Sequence, residues 1–166
     1  PLGLRLKDAD RKFLTHGLPD DAFCRDKVPM TKEEVRETAI CKMQLKENSV
    51  VYDIGSGTGS IAVEMARLSK NLTVYAIERK PEAASLIEKN CEKFELSNVK
   101  VIRGEAPLVL ADLPVPTHAF IGGSNGSLMA ILTDLYQKNP RMRVVVTAIT
   151  LETVGAVSSI LNVKKC

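Results

Sequence analysis

The 166 residues, 45% hydrophobic and 26% charged, suffice for one folded unit with its own core. No run approaches the roughly 18 apolar residues that a membrane span needs. A net charge of +3, spread with Lys and Arg interleaved among Asp and Glu, suits an anionic substrate and is too small and too even to point to nucleic acid by itself; no nucleic-acid or membrane partner is expected.

In chain order, residues 1–30 show no clear period and carry turn signals at Gly3, Gly17, Pro19 and Pro29. They read as an N-terminal arm, with a single domain over residues 31–166. The start is charged early and lacks the apolar core of a secretion signal, so a cytoplasmic protein is expected. Thr31-Lys32-Glu33-Glu34 has the pattern of a capping box, in which the Thr31 hydroxyl and the Glu34 carboxylate each take a free amide. Val35, Ala39 and Met43 follow at helical spacing and predict a helix to about Leu45.

Ser49 to Ile54 is an aliphatic strand running into glycines. Ile61, Met65 and Leu68 mark the next helix, with Ala62 and Ala66 beside them. Leu72 to Ile77 is a second strand ending at Glu78, and Pro81 suits the first turn of a helix with Ala83, Leu86, Ile87, Asn90 and Phe94 on one face. Val99 to Ile102, Thr117 to Ile121 and Arg143 to Ala148 are further strands. Leu128, Ile131, Leu132 and Leu135 mark a helix between the last two, and Leu151, Val154 and Leu161 one after them. Such alternation predicts an α/β fold: an open, mostly parallel sheet with helices on both faces. The scarcity of aromatics, with no Trp, agrees with aliphatic strands buried on both sides.

Asp53-Ile54-Gly55-Ser56-Gly57-Thr58-Gly59 joins a strand to a helix, where open α/β sheets bind ligands. Glycines let the chain turn sharply, and the helix start offers free amides to a carboxylate or phosphate. Asp53 is placed to orient the loop and meet a ligand amino group. Glu78, at a strand end, has acceptors only, which suits both hydroxyls of a ribose. Glu105 is a candidate acceptor for an exocyclic adenine amine, with the Ala106 amide at the ring. A nicotinamide oxidoreductase also fits the loose glycine pattern. Asp53 before the glycines and the short chain favour S-adenosylmethionine.

Gly17 to Phe23, Lys27 to Arg36, Asp53 to Gly59, Val74 to Arg79, Gly104 to Pro107, Phe120 to Ser124, Val146 to Ile149 and Leu151 to Thr153 resemble the decarboxylating precorrin C15-methyltransferases of cobalamin biosynthesis. The resemblance spans most of residues 17–157; Pro-Met-Thr-Lys and Ile-Gly-Gly-Ser are its specific pieces. It implies a Rossmann-like class I methyltransferase fold, S-adenosylmethionine, a precorrin or cobalt-precorrin methylated at C15 and decarboxylated at its C12 acetate, and a homotetramer. Carried over by motif, Thr31, Gly55 to Gly59 (with Ser56, Gly57 and Thr58 between), Glu78 and Ala106 are expected cofactor contacts. The family has Asp where this chain has Glu105. It also continues past the last helix into further strands, which are expected to be absent from this chain.

The loop Gly122-Gly123-Ser124-Asn125 leaves room for a flat macrocycle. Gly122, Gly123, Ser124 and Thr147 are the expected substrate contacts, with Ser124 and Asn125 as candidate catalytic groups. Thr150 is a further candidate for the pocket wall, His16 and His118 are candidate proton carriers, and Arg25, Lys27 and Lys32 are candidate partners for substrate carboxylates. The arm around residues 17–32 is expected to close over the cofactor. No CxxC pair exists among Cys24, Cys41, Cys91 and Cys166, so free thiols and no metal site are expected. An RNA methyltransferase and a non-catalytic cofactor-binding module are the other readings.

Overall fold

The computed structural model describes residues 15–148 and 150–163. Residues 1–14 of the expected arm, Ile149, the side chain of Leu161 and Cys166 lie outside the described residues. The elements alternate as α1 (Glu33–Met43), β1 (Val50–Ile54), α2 (Ser60–Leu68), β2 (Thr73–Glu78), α3 (Pro81–Lys93), β3 (Val99–Arg103), β4 (His118–Ile121), α4 (Leu128–Lys138), β5 (Arg143–Val146) and α5 (Leu151–Val163). Short 3-10 turns stand at Asp20–Ala22 and Leu108–Leu110.

The five strands form one sheet in the order β3-β2-β1-β4-β5, every pair parallel. The order reverses between β1 and β4, so the loops leaving these two strands diverge and open a crevice at their C-terminal ends. This is the Rossmann-like α/β arrangement that the sequence predicts. Side chains alternate across the sheet. Val51, Val74 and Phe120 pack among Met43, Met65 and Ile87 of α1, α2 and α3. Tyr52, Ile54, Ile77 and Ile121 pack on the other face, among Leu128, Ile131 and Leu135 of α4 and residues of α5.

Two expectations for α1 need correction. Lys32, not Thr31, is its N-cap, and no side-chain cap bond forms. The Thr31 carbonyl instead accepts from Arg36 Nη1 at 2.6 Å. The buried face is Arg36, Ala39, Ile40 and Met43, while Val35 is exposed toward the crevice. Leu68 of α2 and Leu151 and Val154 of α5, all expected on buried faces, are exposed.

Arg36 explains the rotation of α1. Its Nε donates to Glu64 Oε1 of α2 at 2.5 Å, and both side chains are fully buried. Its remaining nitrogens reach the carbonyls of Leu18 and Thr31 and the carboxylate of Asp20. Glu64 in turn accepts from the amides of Gly17 and Leu18. Asn90 of α3 grips the same segment further on: it accepts from the Cys24 amide and donates to the carbonyls of Cys24 and Thr58, each at 2.8 Å. Residues 17–31 are thus stapled across α1, α2 and α3 by buried polar groups.

Candidate active site

The crevice is a cavity of about 490 Å³, within the range of small-molecule sites. Three walls come from strand ends: Gly55 to Gly57 after β1, Glu78 at the end of β2 with Arg79 after it, and Glu105 and Ala106 after β3. Gly122 to Asn125 after β4 and Thr147 after β5 complete the sheet side. The stapled segment supplies the outer wall through Val28 to Lys32.

The glycine loop is shaped by its hydrogen bonds. Gly55 and Ser56 both donate to the Ile77 carbonyl, at 3.0 and 3.1 Å, which ties the loop to the end of β2. Gly55 has φ +71°, and a Cβ there would stand 2.4 Å from the Gly123 carbonyl oxygen. Gly123 itself has nothing within 4 Å of an added Cβ, so open space lies above it. Glu78 is nearly buried, and its carboxylate accepts from the Gly57 amide at 3.0 Å and the Lys80 amide at 2.9 Å. Those amides fix the carboxylate at the wall and leave lone pairs for a ligand's hydroxyls.

Asp53, Thr58 and Gly59, expected among the cofactor contacts, stand behind the wall. The loop turns Thr58 into the core, and Gly59 packs its α-carbon against Ile87. Asp53 is fully buried; its Oδ2 accepts from the Ser56 hydroxyl at 2.6 Å, and the Ala62 amide lies beside the carboxylate. It reaches the cavity only through Ser56. Burial pushes its carboxyl up to about 7, against the opposing effects of the Ser56 hydroxyl and the Ala62 amide and with help from the Glu78 charge. A carboxyl raised in this way favours the folded state most below its ordinary value of 3.8 and loses that contribution as pH rises through about 7. Asp53→Asn therefore gains stability relative to the parent between pH 5 and pH 8, by about 2–3 kcal/mol. Thermal melts at the two pH values check this; a pH-independent difference would refute it.

Glu105 lines the cavity, with one carboxylate oxygen engaged at the rim. Its Oε1 accepts from Asn125 Nδ2 at 3.1 Å and lies 3.8 Å from Arg79 Nη1. Asn125, a candidate catalytic group, is occupied at the rim in the same cluster, since its Oδ1 also accepts from Arg79 Nη2 at 3.3 Å. Ser124, Gly122, Gly123 and Thr147 do share the wall opposite Glu78. Lys32 lines the cavity, paired with Asp20 at 3.2 Å; Arg25 and Lys27 do not line it, and Thr150 turns instead to Thr153.

Neither histidine reaches the cavity. His16 contacts Cys41 on the surface, and His118 begins β4 at the opposite end of the sheet, bonded to Thr117. Burial, followed by the charges of Arg143 and Lys46, holds the His118 imidazole below its usual range. Arg79 and Val35 were not foreseen as lining residues, although Arg79 directly follows the singled-out Glu78. Cys24, Cys41 and Cys91 are free thiols. Among the described residues no three His, Cys, Asp or Glu side chains group as metal ligands, and no helix is long and apolar enough to cross a membrane.

The family model for the precorrin methyltransferase domain matches residues 21–164. A probable cobalt-precorrin-6B C(15)-methyltransferase (decarboxylating) of Sulfurisphaera tokodaii is 42% identical over 149 residues, 88% of this chain and 78% of the relative. The crystal structure of precorrin-6Y C5,15-methyltransferase from Geobacter metallireducens superposes with a TM-score of 0.84 at 34% identity, over 92% of this chain and 81% of that one. That of precorrin-8W decarboxylase from Methanobacterium thermoautotrophicum gives 0.81 at 39% identity, over 87% and 79%. The fold is the class I S-adenosylmethionine-dependent methyltransferase fold.

Proposed function

The chain belongs to the precorrin methyltransferase family, and on that premise we propose that it is the decarboxylating C15-methyltransferase for a precorrin or cobalt-precorrin, with S-adenosylmethionine as donor. The observation that carries this reading is the meeting of the Gly55–Gly57 backbone, the Glu78 carboxylate and the Ala106 backbone on one cavity, beside the open space above Gly123.

The residues present fit the donor. Glu78 supplies acceptors for ribose hydroxyls, the glycine loop lets main chain approach the amino-acid end, and Ala106 flanks the base. Thr31 and its neighbours close the site from outside. Asp53 acts through Ser56, holding the loop in shape. When bound, the donor supplies an electrophilic methyl group on sulfur.

The chain's task is then alignment and exclusion of water, and alignment alone is worth roughly 7 to 11 kcal/mol. Gly122, Gly123, Ser124 and Thr147 present a low, partly polar wall to a flat macrocycle. Loss of carbon dioxide from the acetate leaves electrons that the conjugated ring takes up, and a proton then returns to the carbon that becomes the methyl group; the protein holds the ring still for both events. A homotetramer in the cytoplasm belongs to the same reading; light scattering after size exclusion tests the assembly.

The direct test is mass spectrometry of cobalt-precorrin-6B incubated with the protein and S-adenosylmethionine. Gain of one methyl with loss of carbon dioxide is the expected result, and no mass change would refute it. Glu78→Ala is expected to weaken S-adenosylhomocysteine about 100-fold by titration calorimetry, because two charge-assisted bonds are lost. An unchanged affinity would take the nucleoside away from β2.

A further inference from the structure

The rim cluster of Arg79, Glu105 and Asn125 joins the ends of β2, β3 and β4 across the cavity mouth. Its ion pair is loose. Arg79 Nη1 is 3.8 Å from Glu105 Oε1, too far for a hydrogen bond. The same protein contains a tight pair of similar exposure: Arg103 Nη2 reaches both oxygens of Glu88, at 2.9 and 3.0 Å. The slack at Arg79 is therefore a property of its position, where Glu105 must reach over the mouth while also accepting from Asn125. A guanidinium is a fork matched to a carboxylate, and here the fork is not filled by one. Two other cations on this side are committed, Lys32 to Asp20 and Arg36 to the buried staple, while Lys80 lines the cavity beside Arg79 but carries no fork to match a carboxylate.

We propose that Arg79 recognises a side-chain carboxylate of the macrocyclic substrate, exchanging its loose contact with Glu105 for a fork-matched one. The inference rests on the functional reading above, which supplies a polycarboxylate ligand. Glu105 then serves as a place-holder that keeps the guanidinium at the mouth while no substrate is present, and Asn125 steadies both. The half-exposed setting suits such an exchange, since neither partner is desolvated beforehand.

The test is steady-state kinetics with cobalt-precorrin-6B, together with S-adenosylhomocysteine titrations, on the parent, Arg79→Ala, Arg79→Lys and Glu105→Gln. Arg79→Ala is expected to raise KM about 10- to 100-fold, the equivalent of one charge-assisted bond, with kcat changed less than about 2-fold. Arg79→Lys, which keeps the charge and loses the fork, falls between, and Glu105→Gln lowers KM about 3-fold by removing the competitor. Affinity for S-adenosylhomocysteine stays unchanged in all three. An unchanged KM in both Arg79 variants overturns the proposal, as does a loss of S-adenosylhomocysteine affinity matching the rise in KM, which would assign Arg79 to the donor. A parent protein that neither binds S-adenosylhomocysteine nor methylates removes the functional reading and this inference together; a competent parent with indifferent Arg79 variants removes the inference alone.

Discussion

Arg36→Met is expected to cost about 3–5 kcal/mol of stability, the usual penalty for leaving one member of a buried ion pair behind. For a chain of this size that lowers the melting temperature by roughly 10–15 °C. The cost is high because the fully buried Glu64 carboxylate loses its ion partner, while the Leu18 and Thr31 carbonyls lose their donor. Removing both charges, as in Arg36→Met with Glu64→Leu, is expected to recover part of the loss, since no uncompensated ion remains. Circular-dichroism melts check both; a single variant that melts with the parent would show the staple to be energetically idle.

The same variant bears on function. Val28 to Lys32 form the outer cavity wall, and their placement follows from the Arg36 and Asn90 bonds. S-adenosylhomocysteine affinity should therefore fall in Arg36→Met even at temperatures where the variant is folded, as it should when residues 15–30 are deleted. Affinity that survives either change would separate the segment from the cofactor.

How much of this was legible beforehand depends on which residue types carry the information. The strands were readable because Val50 to Ile54, Leu72 to Ile77 and Val99 to Ile102 are aliphatic runs between turn residues, and sheet ladders demand little else. The loop after β1 was readable because Gly55, Gly57 and Gly59 all take positive φ, a local requirement. The burial of Arg36 was not. Hydrophobic periodicity assigns an Arg to solvent, and only the tertiary arrival of Glu64 and the Leu18 carbonyl reverses that. Asn90 fell on the buried face by spacing, yet its partners Cys24 and Thr58 are 66 and 32 residues away in sequence. The rim contacts of Glu105 were not legible for a related reason: how far its side chain reaches across the mouth is invisible without the opposite loop.

Gly55→Ala is expected to have the largest effect on the site. Its new Cβ would lie 2.4 Å from the Gly123 carbonyl oxygen and 2.8 Å from the Gly123 nitrogen. Both obstacles are main chain, so the loops after β1 and β4 must separate. The left-handed conformation adds about 1–2 kcal/mol for any residue with a Cβ. Gly126→Ala, with φ +83° but nothing within 4 Å, isolates that conformational cost. Gly123→Ala, which has open space and no positive φ, isolates the effect of filling the cavity. The expected pattern is a loss of S-adenosylhomocysteine affinity of 100-fold or more in Gly55→Ala, a stability loss near 1 kcal/mol without loss of affinity in Gly126→Ala, and a higher KM for the macrocycle with little change in melting temperature in Gly123→Ala. Calorimetric titrations, melts and kinetics on the three variants distinguish them. Gly55→Ala binding as the parent does would mean that the two loops are not held in contact, and the common wall they form for donor and macrocycle would have to be abandoned.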